Sequence, residues 1–217
     1  MTNPHDKELL VAVKGRNLAD FKKWLAHGAS PDAADADTGR TVLYYVASLD
    51  MSNIYRAEML KELLARNANL NKADNEGMTA LHEAARHARW DVMEALIANN
   101  ADINARNGQG NTPLHVAMTA ALGNGKTETM QRLLNLGANS LVKNEKGYTP
   151  LDAAINREAS ANFYATVISF LQDFEKNKTD AKRHADIADA NKDKLKDAAA
   201  DTISRMRSDA KRFKLKP

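Results

Sequence analysis

The feature that most constrains this chain is that it repeats itself. Four stretches, "DTGRTVLYYVA", "DNEGMTALHEAA", "NGQGNTPLHVAM" and "NEKGYTPLDAAI", align on Gly39, Gly77, Gly110 and Gly147, spaced 38, 33 and 37 residues apart. A second series, "HGASPDA", "RNANLNKAD", "NNADINARN" and "LGANSLVKN", follows the same period and places Gly28, Asn67, Asn100 and Gly137 in one slot. Only Gly, and next best Asn, readily takes the left-handed conformation that closes a helix. Each unit therefore ends a helix at that slot, makes a hairpin-like excursion and starts the next helix near Thr41, Thr79, Thr112 or Thr149. Thr112 and Thr149 suit an N-cap, and Pro113 and Pro150 suit the first helical position, where a missing amide hydrogen costs nothing. A period in this range means stacked supersecondary units, because one helix pair has too small an apolar face to hold itself together.

The motif "TPLHVA" at 112–117, nearly repeated as "TALHEA" at 79–84, resembles the signature of the ankyrin-repeat family. The likeness runs over about residues 6–174, with a degenerate first unit ("KELLVAVKGRNLADFKKWLAHGAS"), and apolar pairs such as Leu63-Leu64, Leu96-Ile97 and Leu133-Leu134 keep the register. The resemblance implies an all-α fold: an ankyrin-repeat solenoid of about five helix pairs with projecting hairpin tips. The expected units are about 6–37, 38–74, 75–107, 108–144 and 145–174, forming a repeat domain over 1–174. End units of such stacks are atypical, and here the first lacks the Thr-Pro start while the fifth carries Asp152 where His82 and His115 stand. In this family that histidine hydrogen-bonds between adjacent loops. Tyr44 takes its place in the second unit and is expected in the core, as is Trp24 of the "WL" pair; Trp90 is expected to pack on the neighbouring repeat.

Two stretches imitate catalytic motifs. "LGNGKTETM" (122–130) ends like a phosphate-binding loop, but the position five before Gly125 is Ala120 and a helix, not a strand, precedes it. The stretch is expected to be a turn between helices, holding the four residues by which this unit exceeds the one before. "HEAARH" imitates a zinc-peptidase motif, but His82 and His87 are five apart, which sets them roughly 140° apart around a helix. No catalytic residue, cofactor site or metal site is assigned, and the chain is read as a non-enzyme. The absence of cysteine excludes disulfides and thiolate metal sites but leaves the redox compartment open. No apolar run reaches the ~20 residues of a membrane span, so a soluble protein is expected. It would be cytoplasmic if Met1 is its native start, or periplasmic if a leader has been removed.

What remains is surface. Resemblance to ankyrin repeats implies that a partner protein lies against the concave side, built from the tips and the exposed positions of the first helices. Carried over by position, the tips give Arg40, Asn75, Glu76, Met78, Gln109, Asn111, Glu145, Lys146 and Tyr148; the first helices add Tyr45, Glu83, Arg86, His87, Val116, Thr119 and Arg157. Tyr and Arg are enriched at binding hot spots, although any of these residues could simply be solvated. From Glu175 the composition changes: 175–217 lacks glycine, holds thirteen Lys and Arg against eight Asp and Glu, and carries a stripe of Leu195, Ala199, Ile203, Met206, Ala210 and Phe213. That segment is net +5 in a chain of net +3, so residues 1–174 carry −2. It reads as a basic amphipathic helix that either caps the last repeat or serves as an arm for nucleic acid or an anionic membrane. The expectation is a non-catalytic protein-binding module, monomeric when free. Small bacterial members of the family include adaptors and self-protection proteins that cover a partner enzyme, and either role is open here.

Overall fold

The computed structural model describes residues 3–124 and 127–155. Gly125 and Lys126 of the loop-like stretch, the second helix expected for the fifth unit, Arg157 and the basic segment 175–217 lie outside the described residues. Helices come in pairs: α1 (Pro4–Lys14) with α2 (Leu18–Ala26), α3 (Val42–Ser48) with α4 (Asn53–Ala65), α5 (Ala80–Arg86) with α6 (Trp90–Ala98), and α7 (Pro113–Asn124) with α8 (Glu128–Asn135). α9 (Pro150–Ile155) opens the fifth unit. The first helices α1, α3, α5, α7 and α9 pack side by side in one row, and α2, α4 and α6 in a second row behind them.

Local chemistry sets the helix boundaries as the repeats imply. Thr41 Oγ1 accepts the Tyr44 N–H at 3.1 Å to open α3. At the other end Gly28, Asn67, Asn100 and Gly137 all have positive φ, from 54° to 97°. The alanine after each sends its N–H back to the carbonyl of Trp24, Leu63, Leu96 or Leu133 at 2.9–3.1 Å, which closes α2, α4, α6 and α8. With the chain reversed at fixed points, the apolar stripes face each other. Leu9, Phe21, Met59, Leu63, Leu81, Met93, Leu96, Leu114, Met118, Met130 and Leu133 are fully buried in one continuous core, each contributing about 1.5 to 3 kcal/mol.

Two expectations are corrected by the helices themselves. The extra residues of the fourth unit do not form a turn; they lengthen α7 to 12 residues against 7 in α5, and Gly123 and Asn124 are helical. An added stretch of about one turn is tolerated because 3.6 residues return the chain to the same face, and Leu114, Ala117, Met118 and Ala121 stay buried along it. Trp24 occupies the slot in which Leu63, Leu96 and Leu133 are fully buried, yet it is only half-buried. No described unit covers its outer side. It stacks instead on His5, ring centroids 5.4 Å apart, and lines an open cavity of about 400 Å³ with Val11, Glu8 and Asp20. The corrections at Met78 and Glu83 belong to the surface described below. Trp90 does pack on the next unit: its indole N–H donates to Thr129 Oγ1 at 3.0 Å and Arg132 lies 4.5 Å over its ring.

The second unit has a longer link between its helices, and a residue that periodicity did not single out holds it. Arg56, 1% exposed, donates from Nη2 to the Met51 carbonyl at 2.9 Å and from Nη1 to Asn53 Oδ1 at 2.8 Å, with Asp91 Oδ2 of the next unit 3.5 Å away. Arg56→Ala should cost about 2 to 4 kcal/mol through the cavity and the orphaned carbonyl. Arg56→Met, which keeps most of the volume without a buried charge, should cost clearly less. Urea unfolding of both variants checks the order, and a loss below 1 kcal/mol for the alanine form would contradict it.

Candidate functional site

The site begins with the tips, where each excursion is tied first to itself and then to its neighbour. At the base of each tip Asp74, Asn107 and Asn144 accept backbone N–H groups two and four residues ahead at 2.8–3.1 Å, which folds the tip around its glycine. Main-chain bonds then link the tips in series: Asn75 N–H to Thr38 O at 3.0 Å, Gly108 N–H to Glu76 O at 2.8 Å and Glu145 N–H to Gln109 O at 3.0 Å. A second ladder, not read from the sequence, runs behind it. Asp32 accepts Asn69 N–H, Asn71 accepts Asp102 N–H and Asn104 accepts Asn139 N–H, all at 2.7–2.9 Å. Those acceptors share one slot of the repeat, so the signal was present; in the fourth unit the slot holds Leu141, which is exposed.

The histidines act between units. His82 Nδ1 accepts the Thr79 N–H at 3.2 Å and lies 2.9 Å from the Thr79 hydroxyl. Its proton therefore sits on Nε2, which donates to the Asn111 carbonyl of the next tip at 3.0 Å. His115 repeats the arrangement with Thr112 and the Tyr148 carbonyl, also at 3.0 Å. Burial pushes both imidazoles below their ordinary pKa. Asp152 accepts from the Thr149 N–H and hydroxyl at 3.0 and 2.8 Å but has no proton to pass onward. His82 and His87 do not converge: the first is buried between two loops, and the second is exposed beside Glu83.

The expected surface residues divide. Asn75, Glu76, Arg86, His87, Gln109, Glu145 and Lys146 are exposed, and Arg40, Tyr45, Asn111, Val116, Thr119 and Tyr148 are half-buried. Met78 and Glu83 are not surface at all, at 3% and 2% exposed. Met78 is roofed by the next tip, whose Asn107 amide approaches its Sδ at 3.1 Å. Glu83 is turned inward beneath Arg86 and His87, whose nitrogens stand 3.4 and 3.3 Å from its two oxygens. Helical position alone cannot reveal such roofing. Asn111 is a tie as much as a surface group, since its Oδ1 accepts from Asn144 Nδ2 at 2.8 Å.

Between the second and third units the structure gathers a charged cluster that sequence reading left scattered. Tyr44, 6% exposed as expected of its core slot, has the Arg40 guanidinium 5.0 Å from its ring centroid. Arg40 Nε stands 3.6 Å from Asp74 Oδ2, a carboxylate missed in the sequence because it reads as a turn residue. Burial, helped by the nearby Glu83 charge, pushes the Tyr44 phenol up, so it stays protonated. Alongside, Lys14 lies 4.8 Å over the Tyr45 ring and holds the Asp35 carboxyl down to about 2.

Comparison with known proteins bears directly on this geometry. A family description, "Ankyrin repeats (3 copies)", matches residues 9–107 and again 91–180. The chain belongs to the ankyrin-repeat family. A human relative, "SH3 and multiple ankyrin repeat domains protein 2", is 35% identical over 85 residues, which is 39% of this chain and 4% of that protein. The chain thus spans only a small fraction of that relative's length. Ankyrin repeats are in general protein–protein interaction modules and typically non-catalytic. No helix among the described residues is long and apolar enough to cross a membrane.

Proposed function

We propose that this ankyrin-repeat chain grips a protein partner on the face formed by its tips and first helices, and that it serves as a self-protection or inhibitor protein covering a partner enzyme. The unbroken tip ladder carries this reading. Each described tip from Thr38 to Glu145 is bonded to its neighbour, so the surface is ordered before the partner arrives and little entropy is lost on binding. Tyr45, Arg86, His87 and Tyr148 stand along that strip as the aromatic and cationic anchors. The other reading, an adaptor that contacts nucleic acid or an anionic membrane, rests on the composition of residues 175–217 alone.

The test is affinity for a partner captured by pull-down, measured on the same variants as stability. Arg86→Ala should weaken binding by about 1 kcal/mol or more. Its melting temperature should also fall, because Glu83, whose side chain is 3% exposed, then keeps only His87 as a charged neighbour among the described residues. Affinity is therefore compared at a temperature where both proteins are folded. If Arg86, Tyr45 and Tyr148 can be replaced together without loss of affinity, another surface carries recognition.

A further inference from the structure

We propose that Asn107 is a site of spontaneous deamidation, closed while the tips of the third and fourth units touch and open once they part, so that separation of these units becomes a permanent covalent change. The chain holds two Asn-Gly pairs, Asn107–Gly108 and Asn124–Gly125, and the first lies in a tip. Asn-Gly is the dipeptide most prone to this chemistry, because glycine has no Cβ to hinder attack by its own amide nitrogen. The Gly108 N–H gives its proton to hydroxide, and the nitrogen attacks Cγ of Asn107 to form a succinimide ring. The Cγ–Nδ2 bond breaks, and the nitrogen takes a proton from water and leaves as ammonia. Water then adds to one of the ring carbonyls, which leaves aspartate or isoaspartate at position 107.

The preceding tip blocks the first step. Gly108 N–H donates to the Glu76 carbonyl at 2.8 Å, which shields the proton that must leave. Asn107 Nδ2, the nitrogen to be expelled, lies 3.1 Å from Sδ of the buried Met78. Asn107 Oδ1 accepts the N–H groups of Gln109 and Asn111, both at 3.0 Å, and so holds the side chain in its own tip. Both contacts with Glu76 and Met78 go when the units part, and Gly108 is already exposed to water.

The products differ in whether the tip can close again. Aspartate fits, since Asp74 fills the same slot one unit earlier and accepts the Glu76 and Met78 N–H groups at 2.9 and 2.8 Å. Isoaspartate lengthens the main chain by one atom, and the tips leave no space for it. A Cβ on Gly77 would already meet Gly108 N at 2.5 Å and the Asn107 carbonyl carbon at 2.9 Å, and a Cβ on Gly108 would meet the Glu76 carbonyl oxygen at 2.9 Å. A chain with isoaspartate at position 107 therefore cannot remake the bond from Gly108 to Glu76.

The test ages the full chain in mildly alkaline buffer, folded and in concentrated urea. Deamidation is read by tandem mass spectrometry, whose fragments separate Asn107 from Asn124, and exchange of the Gly108 amide proton in the folded chain is followed by NMR. Asn107 should react at least about tenfold more slowly in the folded chain than in urea, because only the opened fraction is reactive. G77A forces the same tips apart and should speed Gly108 exchange and Asn107 deamidation by the same factor; M78A, which uncovers Nδ2, serves in its place if G77A does not fold. N107D should melt close to the wild type, and chains with isoaspartate at position 107, returned from urea, should exchange the Gly108 proton without protection. Equal rates in the folded chain and in urea would overturn the proposal. So would a variant that loses Gly108 protection without faster deamidation, an N107D chain that melts far below the wild type, or isoaspartate-bearing chains that regain protection.

Discussion

Gly77→Ala should lower stability by about 3 kcal/mol, whereas Gly28→Ala should cost only about 1 kcal/mol, although both glycines have positive φ. The shared part is the left-handed backbone, at 78° and 89° respectively, which costs an L-residue with a side chain roughly 1 to 2 kcal/mol. The difference lies in what a Cβ would meet. At Gly28 nothing stands within 4 Å; at Gly77 the Cβ would lie 2.5 Å from Gly108 N and 2.9 Å from the Asn107 carbonyl carbon. Those are backbone atoms of the next tip and cannot swing away. Relief requires breaking the Gly108 N–H to Glu76 O bond, 2.8 Å long, and pushing two units apart, which adds the cost of overpacking and of a lost bond. Gly28→Asn should be nearly neutral, since Asn67 and Asn100 already occupy that slot with φ of 54° and 70°. Denaturant unfolding of the three variants tests the ranking, and equal losses at Gly77 and Gly28 would show that the tips are not held together as described.

Acidification below about pH 6.5 should destabilise the protein, and the two inter-unit histidines should account for much of the loss. An unfolded imidazole titrates near 6.5. In the folded state burial lowers the pKa of His82 and His115, because Nδ1 is occupied as an acceptor and the surroundings disfavour charge. Below about 6.5 the unfolded chain therefore takes up protons that the folded chain does not. Their contribution is complete above the unfolded pKa and is lost as pH falls toward the folded values. The Asp35–Lys14 pair acts in a lower window, since a carboxyl held at about 2 loses its contribution only below its ordinary value of 3.8. His82→Gln and His115→Gln should each cost about 1 to 3 kcal/mol at pH 7.5, and the double variant should show a flatter stability profile from pH 7 to 5. A double variant with the same acid slope as the wild type would assign the loss to other groups.

The repeats and the caps were legible in the sequence because each depends on residue type at a fixed local offset, whereas the histidine bridges between units, 29 and 33 positions apart, were expected from the resemblance to ankyrin repeats. Glycine or asparagine at the helix end and threonine at the start act over one turn of chain, so the period carries them unchanged. Tyr44 and Trp90 were legible for the same reason, as occupants of slots whose packing neighbours recur. What failed shares a cause. Met78 and Glu83 were placed on the surface by helical and tip position, but an approaching tip or overlying side chains cover them, as Asn107 covers Met78. Trp24 was placed in the core by its slot, yet that slot is buried only where a unit lies on its outer side. Arg56 looks like any charged helix residue until the longer link of its unit supplies the Met51 carbonyl to bind.

The sequence by itself determined the period and order of the units and the chemistry that opens and closes most of their helices. Only the tertiary structure decided which of the exposed-looking groups are exposed, and that Arg40, Tyr44, Asp74, Glu83 and Arg86, spread over 47 positions of the chain, meet in one cluster. The physical reason is the range of the forces involved. Capping and turn chemistry act within a few residues, whereas burial and ion pairing depend on the distance between units, which is fixed by the packing of whole helices.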